Sequence, residues 1–341
     1  MEDWVQITVL GAGAFGTAMS VALRSAVSDV VLWSRNQRVV DELRTSGENL
    51  SYLAGSPVPR SINVTTDLEL ALQNTSVVLL CVPTQELRNL CNIVKDSAAL
   101  RANVPVLVCS KGIESESLKF AGEIVAEVLP SNPTLVLSGP ALAREMVQGL
   151  PCAMVLAGDD IHVAASLAGR LSSPSVSVVH SSDYLGVQIG SVLKNVIAIA
   201  CGIVAGRKLG HNATTMVIVQ GLAEIQALCT AKTGHADIAT ITGLACLGDL
   251  VLTCTSSSSR NMSFGLSIGQ SNNVNDKASA QVLVEGAESA QSVENLGLSL
   301  GVDLPICYAV SRLLKKQLTV DQLINQILHS PFNKRHNSAQ Q

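Results

Sequence analysis

The chain has 341 residues, of which 47% are hydrophobic, 15% charged and 3% aromatic, and its 23 basic and 27 acidic residues give a net charge of −4. This length and composition exclude a fibre, a disordered tail and a small protein held together by disulfides. The sequence has no block of lysine and arginine, which argues against nucleic acid as the main partner, because phosphate neutralisation requires clustered positive charge. A small anionic ligand held in one pocket remains compatible with this charge balance.

The nine cysteines lie mostly inside apolar runs and form no C-x-x-C pair, so we expect buried, reduced thiols and no metal site. The first residues are acidic, unlike those of a secretory signal. Residues 187–206 are long and apolar, but Lys194 lies near their middle, where a lysine costs about 2.5–3.5 kcal/mol on membrane-insertion scales. We therefore expect a buried helix, no membrane span and a cytoplasmic protein.

In chain order, short β-branched runs alternate with segments that are long enough for crossover helices. The predicted strands are 7–10, 30–33, 77–82, 104–109, 134–137, 152–156 and 175–181. This alternation predicts an α/β fold with a doubly wound, mostly parallel sheet. Thr66 and Glu69 predict a capping box at the start of the helix that precedes the third of these strands.

Beyond residue 181 the strand pattern stops and longer helical patterns follow. We therefore predict an N-terminal domain over residues 1–181, an all-α domain over 182–333 and a C-terminal tail over 334–341. Two segments rich in serine and asparagine, 255–261 and 271–275, are predicted as loops within the helical domain.

A glycine-rich turn, Gly-Ala-Gly-Ala-Phe-Gly at residues 11–16, follows the first predicted strand and precedes a helical pattern. In such a turn the first glycine permits a tight bend, the second lets the backbone approach a diphosphate, and the third lets helix and strand pack closely. Gly11, Gly13 and Gly16 therefore predict a dinucleotide site in the N-terminal domain. A merely structural turn is the alternative.

Two basic side chains lie at the ends of predicted strands. The second strand ends in Leu-Trp-Ser-Arg-Asn, without the acid that usually binds the ribose 2′-hydroxyl, and Arg35 could pair with a 2′-phosphate instead. NADPH is therefore predicted to be accepted. Lys111 and Gly139 each follow a strand, at the edge where open α/β sheets bind ligands. For both basic residues, a solvated surface position is the alternative.

Lys194 lies within the apolar segment described above, where an unpaired ammonium group would be costly. Its predicted partner is Asp249, the one acid in the run 242–259, and Arg260 and Asn261 follow directly. In a functional interpretation Lys194 gives a proton to a carbonyl oxygen that receives a hydride, Asp249 orients it, and Arg260 with Asn261 holds an anionic group. A purely structural Lys–Asp pair is the alternative.

Seven motifs, in this order, resemble those of bacterial-type NAD(P)-dependent glycerol-3-phosphate dehydrogenases: GAGAFGTA, SKGIE, SGPALA, GVQIGSVLKNVIAIACGI, CLGDLVLTCT, SSSSRN and VLVEG. The resemblance runs from about residue 5 to about residue 330. It implies a Rossmann-type N-terminal domain, an all-α C-terminal domain and a homodimer. It also implies that dihydroxyacetone phosphate and sn-glycerol 3-phosphate are interconverted with NAD or NADP, which supplies glycerol 3-phosphate for phospholipid synthesis.

The resemblance further implies which residues form the site. Lys194 matches the family's catalytic lysine, and Asp249 and Lys111 are the other two predicted catalytic residues. The implied cofactor contacts, in addition to the glycines, are Ala14, Phe15, Arg35, Asn36, Lys111, Ala143, Arg260, Leu283 and Glu285. The implied substrate contacts are Lys111, Gly139, Ala141, Lys194, Asp249, Ser259, Arg260 and Asn261.

Three positions depart from the family pattern, since Ala14 stands where Ser is common, Ala141 where Ser or Thr is common, and Asn36 where a second Arg often lies. The loss of a second basic residue weakens the case for strong NADPH preference, so NAD and NADP are both predicted cofactors.

Two other functions compete with this interpretation. A related two-domain reductase acting on a β-hydroxy acid would share both domains and a lysine, but its substrate carboxylate would not require the SSSSRN segment. A non-catalytic NAD(P)H-binding regulator would keep the glycine-rich turn without needing Lys194 or Asp249.

Overall fold

A computed structural model of the protein describes residues 6–24, 29–271 and 284–329. The chain folds into two compact units, one formed by residues 1–111 and 119–188 and the other by residues 112–118 and 189–341. The domain ranges expected from the sequence place the change at residue 181 and stay a prediction.

The described residues of the first unit form one sheet of eight strands in the order β3-β2-β1-β4-β5-β6-β7-β8. Its strands are β1 Gln6–Leu10, β2 Asp29–Trp33, β3 Ile62–Thr65, β4 Val77–Leu80, β5 Val106–Val108, β6 Thr134–Ser138, β7 Cys152–Ala157 and β8 Val176–Ser181. All neighbouring strands run parallel except β6 and β7. The prediction of a doubly wound, mostly parallel sheet is confirmed.

Helices alternate with these strands and leave the central strands buried. They are α1 Ala14–Leu23, α2 Gln37–Ser46, α3 Leu68–Leu72, α4 Thr84–Ser97, α5 Ala121–Val128, α6 Ala143–Val147 and α7 Ile161–Leu171. Every residue of β1 and of β4 is buried, as expected for parallel strands that are covered on both faces. Because the strand order reverses beside β1, its carboxyl end opens at the point where such sheets bind ligands.

Two local predictions in this unit are wrong. The sequence analysis missed β3, an edge strand in which only the first and last of four residues are buried. The capping box at Thr66 is also wrong, because α3 begins one residue later than expected. The carboxylate of Asp67 accepts from the N–H of Leu70 at 3.0 Å, while Thr66 Oγ1 bonds Gln37 Oε1. A charged acceptor is the stronger cap at that position.

The described residues of the second unit form helices and no strand. They are α8 Tyr184–Gly206, α9 Gly210–Thr233, α10 Ile238–Ile241, a π-helical turn Leu244–Gly248, α11 Asp249–Thr255, α12 Arg260–Ser271, α13 Glu285–Ser299, α14 Pro305–Leu314 and α15 Val320–His329. The all-α character predicted for the C-terminal part is confirmed. The loop predicted at 255–261 ends earlier, because Arg260 and Asn261 already belong to α12. The second predicted loop lies, from residue 272 onwards, outside the described residues.

The long apolar helix α8 packs against α12 with their backbones in close approach. A Cβ atom added at Gly202 would lie 2.2 Å from the carbonyl oxygen of Met262, and one added at Gly265 would lie 2.0 Å from that of Ile199. Side chains at these positions would force the helices apart, so glycine fixes the spacing of two helices that carry predicted site residues.

Among the described residues, three helical segments have the length and apolar composition of a membrane span. They are Tyr184–Gly206, Gly210–Thr233 and Ile238–Thr255, and their most apolar windows are 89%, 39% and 44% buried, respectively. The expectation that residues 187–206 form a buried helix is therefore confirmed.

Candidate active site

The glycine-rich turn connects β1 to α1, and its three glycines meet different surroundings. Gly11 has φ +116°, and a Cβ there would lie 2.5 Å from the carbonyl oxygen of Cys81. A Cβ at Gly16 would lie 1.9 Å from the carbonyl oxygen of Gly11. Gly13, the residue before α1, has nothing within 4 Å of the same position. Packing within the protein thus explains Gly11 and Gly16, but not Gly13.

The N-terminus of α1, at Gly13, has the features of an anion-binding site. No side chain caps this helix end, so the first N–H groups of α1, including those of Ala14 and Phe15, are available to an anion. A side chain at Gly13 would fill the open space that a diphosphate needs. These residues therefore fit a dinucleotide, with its diphosphate at the helix end. Ala14 and Phe15 themselves are partly buried against the core.

Arg35 and Asn36, just beyond the end of β2, have different partners. Arg35 Nη1 lies 2.7 Å from Glu86 Oε2, in an ion pair whose side chains are 71% and 43% exposed. Asn36 precedes α2 and accepts from the N–H of Arg38 at 3.0 Å. The position at which the family often has a second arginine is therefore used here to cap a helix.

Lys111 and Gly139 meet at the carboxyl edge of the sheet, beyond β5 and β6. Lys111 Nζ donates to the carbonyl oxygen of Gly139 at 3.3 Å. Gly139 has φ +139°, and a Cβ there would lie 2.9 Å from Met154 Cα, so glycine is required for the chain to turn at this point. Ala141 and Ala143 follow and are partly buried, and α6 begins at Ala143.

In the second unit, Lys194 on α8 contacts α11 through two polar groups. Its Nζ atom lies 2.9 Å from Asp249 Oδ1 and 2.8 Å from Thr253 Oγ1. The side chains of Lys194 and Asp249 are 8% and 2% exposed. The predicted pairing of Lys194 with Asp249 is confirmed. The sequence analysis missed Thr253, although it lies four residues after Asp249 and therefore on the same helix face.

A second buried cluster joins α8, α12 and α13 through side-chain amides. Asn261 Nδ2 donates to Asn195 Oδ1 at 2.9 Å, and Asn261 Oδ1 accepts from the N–H of Gly286 at 2.9 Å. Asn195 Nδ2 also lies 3.4 Å from Glu285 Oε2. The cluster thus brings the predicted residues Asn261 and Glu285 together through Asn195, which the sequence analysis did not assign to the site.

The start of α12 presents a cation beside this cluster. Arg260 is exposed, while Ser259 is buried and its Oγ accepts from the N–H of Met262 at 3.2 Å. Burial and the neighbouring Glu285 raise the pKa of Glu288, and Arg260 acts in the opposite direction.

The predicted contact Leu283 lies outside the described residues. Within the described ranges, no three His, Cys, Asp or Glu side chains are grouped as metal ligands.

Comparison with known proteins agrees with these observations over nearly the whole chain. Residues 6–164 match the family model described as NAD-dependent glycerol-3-phosphate dehydrogenase N-terminus, and residues 183–325 match the model of the C-terminus. The chain belongs to this family. It is an NAD(P)-dependent oxidoreductase, as the resemblance implied, and its cofactor is NAD or NADP. The non-catalytic regulator is thereby excluded.

Individual relatives support the family membership. The chain is 63% identical to glycerol-3-phosphate dehydrogenase [NAD(P)+] of Anaplasma phagocytophilum, over 95% of this chain and 99% of the relative. It is 43% identical to the protein of the same name in Ehrlichia chaffeensis, over 95% and 100% of the two chains. Among solved structures, glycerol-3-phosphate dehydrogenase from Coxiella burnetii matches with a TM-score of 0.89 and 33% identity, over 95% of this chain and 99% of that chain.

Proposed function

We propose that the protein interconverts dihydroxyacetone phosphate and sn-glycerol 3-phosphate, and that Lys194 is its general acid and base. The observation that carries this proposal is the buried ammonium group of Lys194, held by Asp249 and Thr253 in a mostly apolar helix. An ion pair in such surroundings adds little net stability over well-packed apolar side chains. A chemical role accounts for it better than a structural one.

The bound nicotinamide supplies the hydride for reduction and accepts it in the reverse reaction. As the C2 carbonyl of the substrate becomes an alcohol, its oxygen needs one proton, and Lys194 Nζ gives that proton. In the reverse direction the neutral amine takes the proton from the C2 hydroxyl. The carboxylate of Asp249 favours the charged form of the lysine, and the two acceptors at 2.9 and 2.8 Å fix the direction of its side chain.

The phosphate of the substrate is assigned chiefly to Arg260. Its guanidinium group is exposed at the first residue of α12, and two parallel N–H groups suit phosphate oxygens. Asn261 uses both ends of its amide to bond Asn195 and Gly286, so it also holds α12 and α13 in place. We keep Asn261, Ser259, Lys111, Gly139 and Ala141 as proposed substrate contacts.

The cofactor is assigned to the turn at Gly13 and to the strand ends around it. The proposed contacts are Gly11, Gly13, Ala14, Phe15, Gly16, Arg35, Asn36, Lys111, Ala143, Arg260, Leu283 and Glu285. The open space at Gly13 and the uncapped start of α1 support this assignment in the first unit.

We also propose that the enzyme is a cytoplasmic homodimer that supplies glycerol 3-phosphate for phospholipids. All nine cysteines are free, which suits a reducing compartment. The second unit exposes large apolar side chains that a partner subunit could cover, namely Leu209, Met216, Val219, Ile238 and Val251. Light scattering coupled to size-exclusion chromatography should give about twice the monomer mass, and a monomer would contradict the assembly.

The test of the activity is the loss of NADH or NADPH absorbance at 340 nm in the presence of dihydroxyacetone phosphate. Acetoacetate, a β-keto acid without a phosphate that is reduced to a β-hydroxy acid, serves as the substrate control. We expect oxidation of the cofactor with dihydroxyacetone phosphate and none above background with acetoacetate. Oxidation with the keto acid alone would favour the reductase of β-hydroxy acids instead.

A further inference from the structure

One exposed ion pair spans the carboxyl end of β1. Arg35 follows β2, and Glu86 lies in the first turn of α4, which follows β4. The strand order places β2 on one side of β1 and β4 on the other. The contact of 2.7 Å between Arg35 Nη1 and Glu86 Oε2 therefore crosses the edge of the sheet from which the glycine-rich turn emerges.

We propose that Glu86 is a specificity-determining residue that opposes NADPH and shifts cofactor use toward NADH. The inference rests on the proposed cofactor site, in which Arg35 lies beside the adenosine ribose. The Glu86 carboxylate pairs with one guanidinium nitrogen of Arg35, Nη1, and so places a negative charge beside the group that a 2′-phosphate would bind. The ribose 2′-hydroxyl of NADH is uncharged, so the carboxylate of Glu86 does not repel it.

Simple electrostatics gives the sign of this effect. A phosphate monoester carries a charge of about −1.5 to −2 at pH 7, so it would compete with Glu86 for Arg35 and be repelled by the nearby carboxylate. The next cation along the chain, Arg38, already pairs with Glu42 on its own helix at 2.9 Å. An exposed pair such as Arg35–Glu86 is weak, so NADPH binding is reduced rather than abolished.

A purely structural role for Glu86 is the competing explanation. An acid in the first turn of a helix interacts favourably with the helix dipole, and loss of that interaction would lower stability. It would not change the relative affinity for two cofactors that differ by one phosphate. The NADPH to NADH affinity ratio is therefore the readout that separates the two explanations.

The test compares Glu86→Gln with the wild-type enzyme. Dissociation constants for NADPH and NADH are measured by nicotinamide fluorescence at low and high salt. Asp96→Asn is the matched control, because it removes the same charge from the same helix about ten residues, or about 15 Å, further along. Glu86 is a surface residue, and thermal unfolding checks that both variants fold.

We expect Glu86→Gln to raise the NADPH to NADH affinity ratio by about two- to fivefold at low salt, with a smaller change at high salt because exposed charges are screened. Asp96→Asn should leave the ratio unchanged. If both cofactors bind and the ratio in Glu86→Gln equals that of the wild type, the role of Glu86 is refuted while the cofactor site stands. If neither cofactor binds the wild-type protein, both the cofactor site and the role of Glu86 are refuted.

Discussion

Replacing Asp249 by Asn removes one charge from the buried pair and changes the size of the side chain very little. Asp249 is 2% exposed, and its Oδ1 atom lies 2.9 Å from Lys194 Nζ. The amide oxygen can still accept a hydrogen bond from the lysine. The substitution therefore tests the charge of the carboxylate rather than the shape of the site.

The magnitude follows from the distance and the burial. Two unit charges 2.9 Å apart attract by about 6 kcal/mol at an effective dielectric constant of 20. Measured losses on breaking buried pairs are about 3–5 kcal/mol, because the surroundings relax. We expect a loss of unfolding free energy in that range at low pH, where Lys194 keeps its charge, and a smaller loss at pH 8, where it becomes neutral. A buried lysine without a carboxylate partner does favour its neutral form, so the pKa of Lys194 should fall in this variant.

The assay is the pH dependence of kcat for the reduction of dihydroxyacetone phosphate. A neutral amine cannot donate the proton, so Asp249→Asn should lose at least about tenfold in kcat at pH 8 and recover part of it as pH falls. Its pH profile should therefore be displaced to lower pH than that of the wild type.

Glu294→Gln is the matched control, because it neutralises another buried carboxylate of the second unit. Glu294 Oε2 accepts from Lys315 Nζ and from Ser311 Oγ, each at 2.7 Å. This variant should lose stability as well, yet keep the wild-type kcat and pH profile. A wild-type profile in Asp249→Asn would refute the reasoning and leave the Lys194–Asp249 pair with a structural role only.

Three further predictions concern the phosphate, the thiols and the acid limit of stability. Arg260→Ala should raise the KM for dihydroxyacetone phosphate by about 10- to 150-fold, since a charged hydrogen bond contributes about 1.5–3 kcal/mol. An unchanged KM in steady-state assays would mean that the phosphate binds elsewhere. Burial raises the pKa of Cys91 to about 12 and that of Cys307 well above its usual value. The thiolate is the reactive form of cysteine, so Ellman's reagent at pH 8 should label fewer than half of the nine cysteines in the native protein. In guanidinium chloride it should label all nine. Fast labelling of all nine in the native protein would contradict this prediction. Burial alone would raise the pKa of Glu294, but hydrogen bonds from Lys315 and its neighbours lower it below 4.5. The wild type should therefore lose its stability advantage over Glu294→Gln in denaturant titrations as pH falls below about 4.5. A difference in unfolding free energy that does not change with pH would contradict this prediction.

The sequence predicted the parts of the fold in which the local pattern and the tertiary structure agree. The strands β1 and β2 begin and end within one residue of their predicted limits, because buried parallel strands are continuous apolar runs. β3 was missed because it is short, lies at an edge and alternates with polar residues. Asp67 was missed as a cap because Thr66 offered a plausible capping box, and only the structure shows which side chain reaches the helix end.

The residues of the candidate site also differ in whether the sequence could predict their contacts. Lys194 and Asp249 could be predicted as partners because a lysine in an apolar helix needs an acid, and the sequence offers one nearby. Thr253 was missed despite its spacing of four residues from Asp249, because a helical threonine usually bonds the carbonyl four residues before it, as this one does, and its contact with Lys194 is tertiary. Glu86 faces Arg35 only because of the strand order, which the sequence analysis did not predict.

The most direct test of the account is kcat measured together with cofactor affinity in Lys194→Ala. The predicted result is an NAD(P)H dissociation constant close to that of the wild type and a kcat lower by about 10²–10⁴-fold, the usual contribution of general acid catalysis. A second variant, Lys194→Met with Asp249→Leu, removes both buried charges, so it should stay folded and be equally inactive. Wild-type turnover in either folded variant would contradict the assignment of Lys194 as the acid and base.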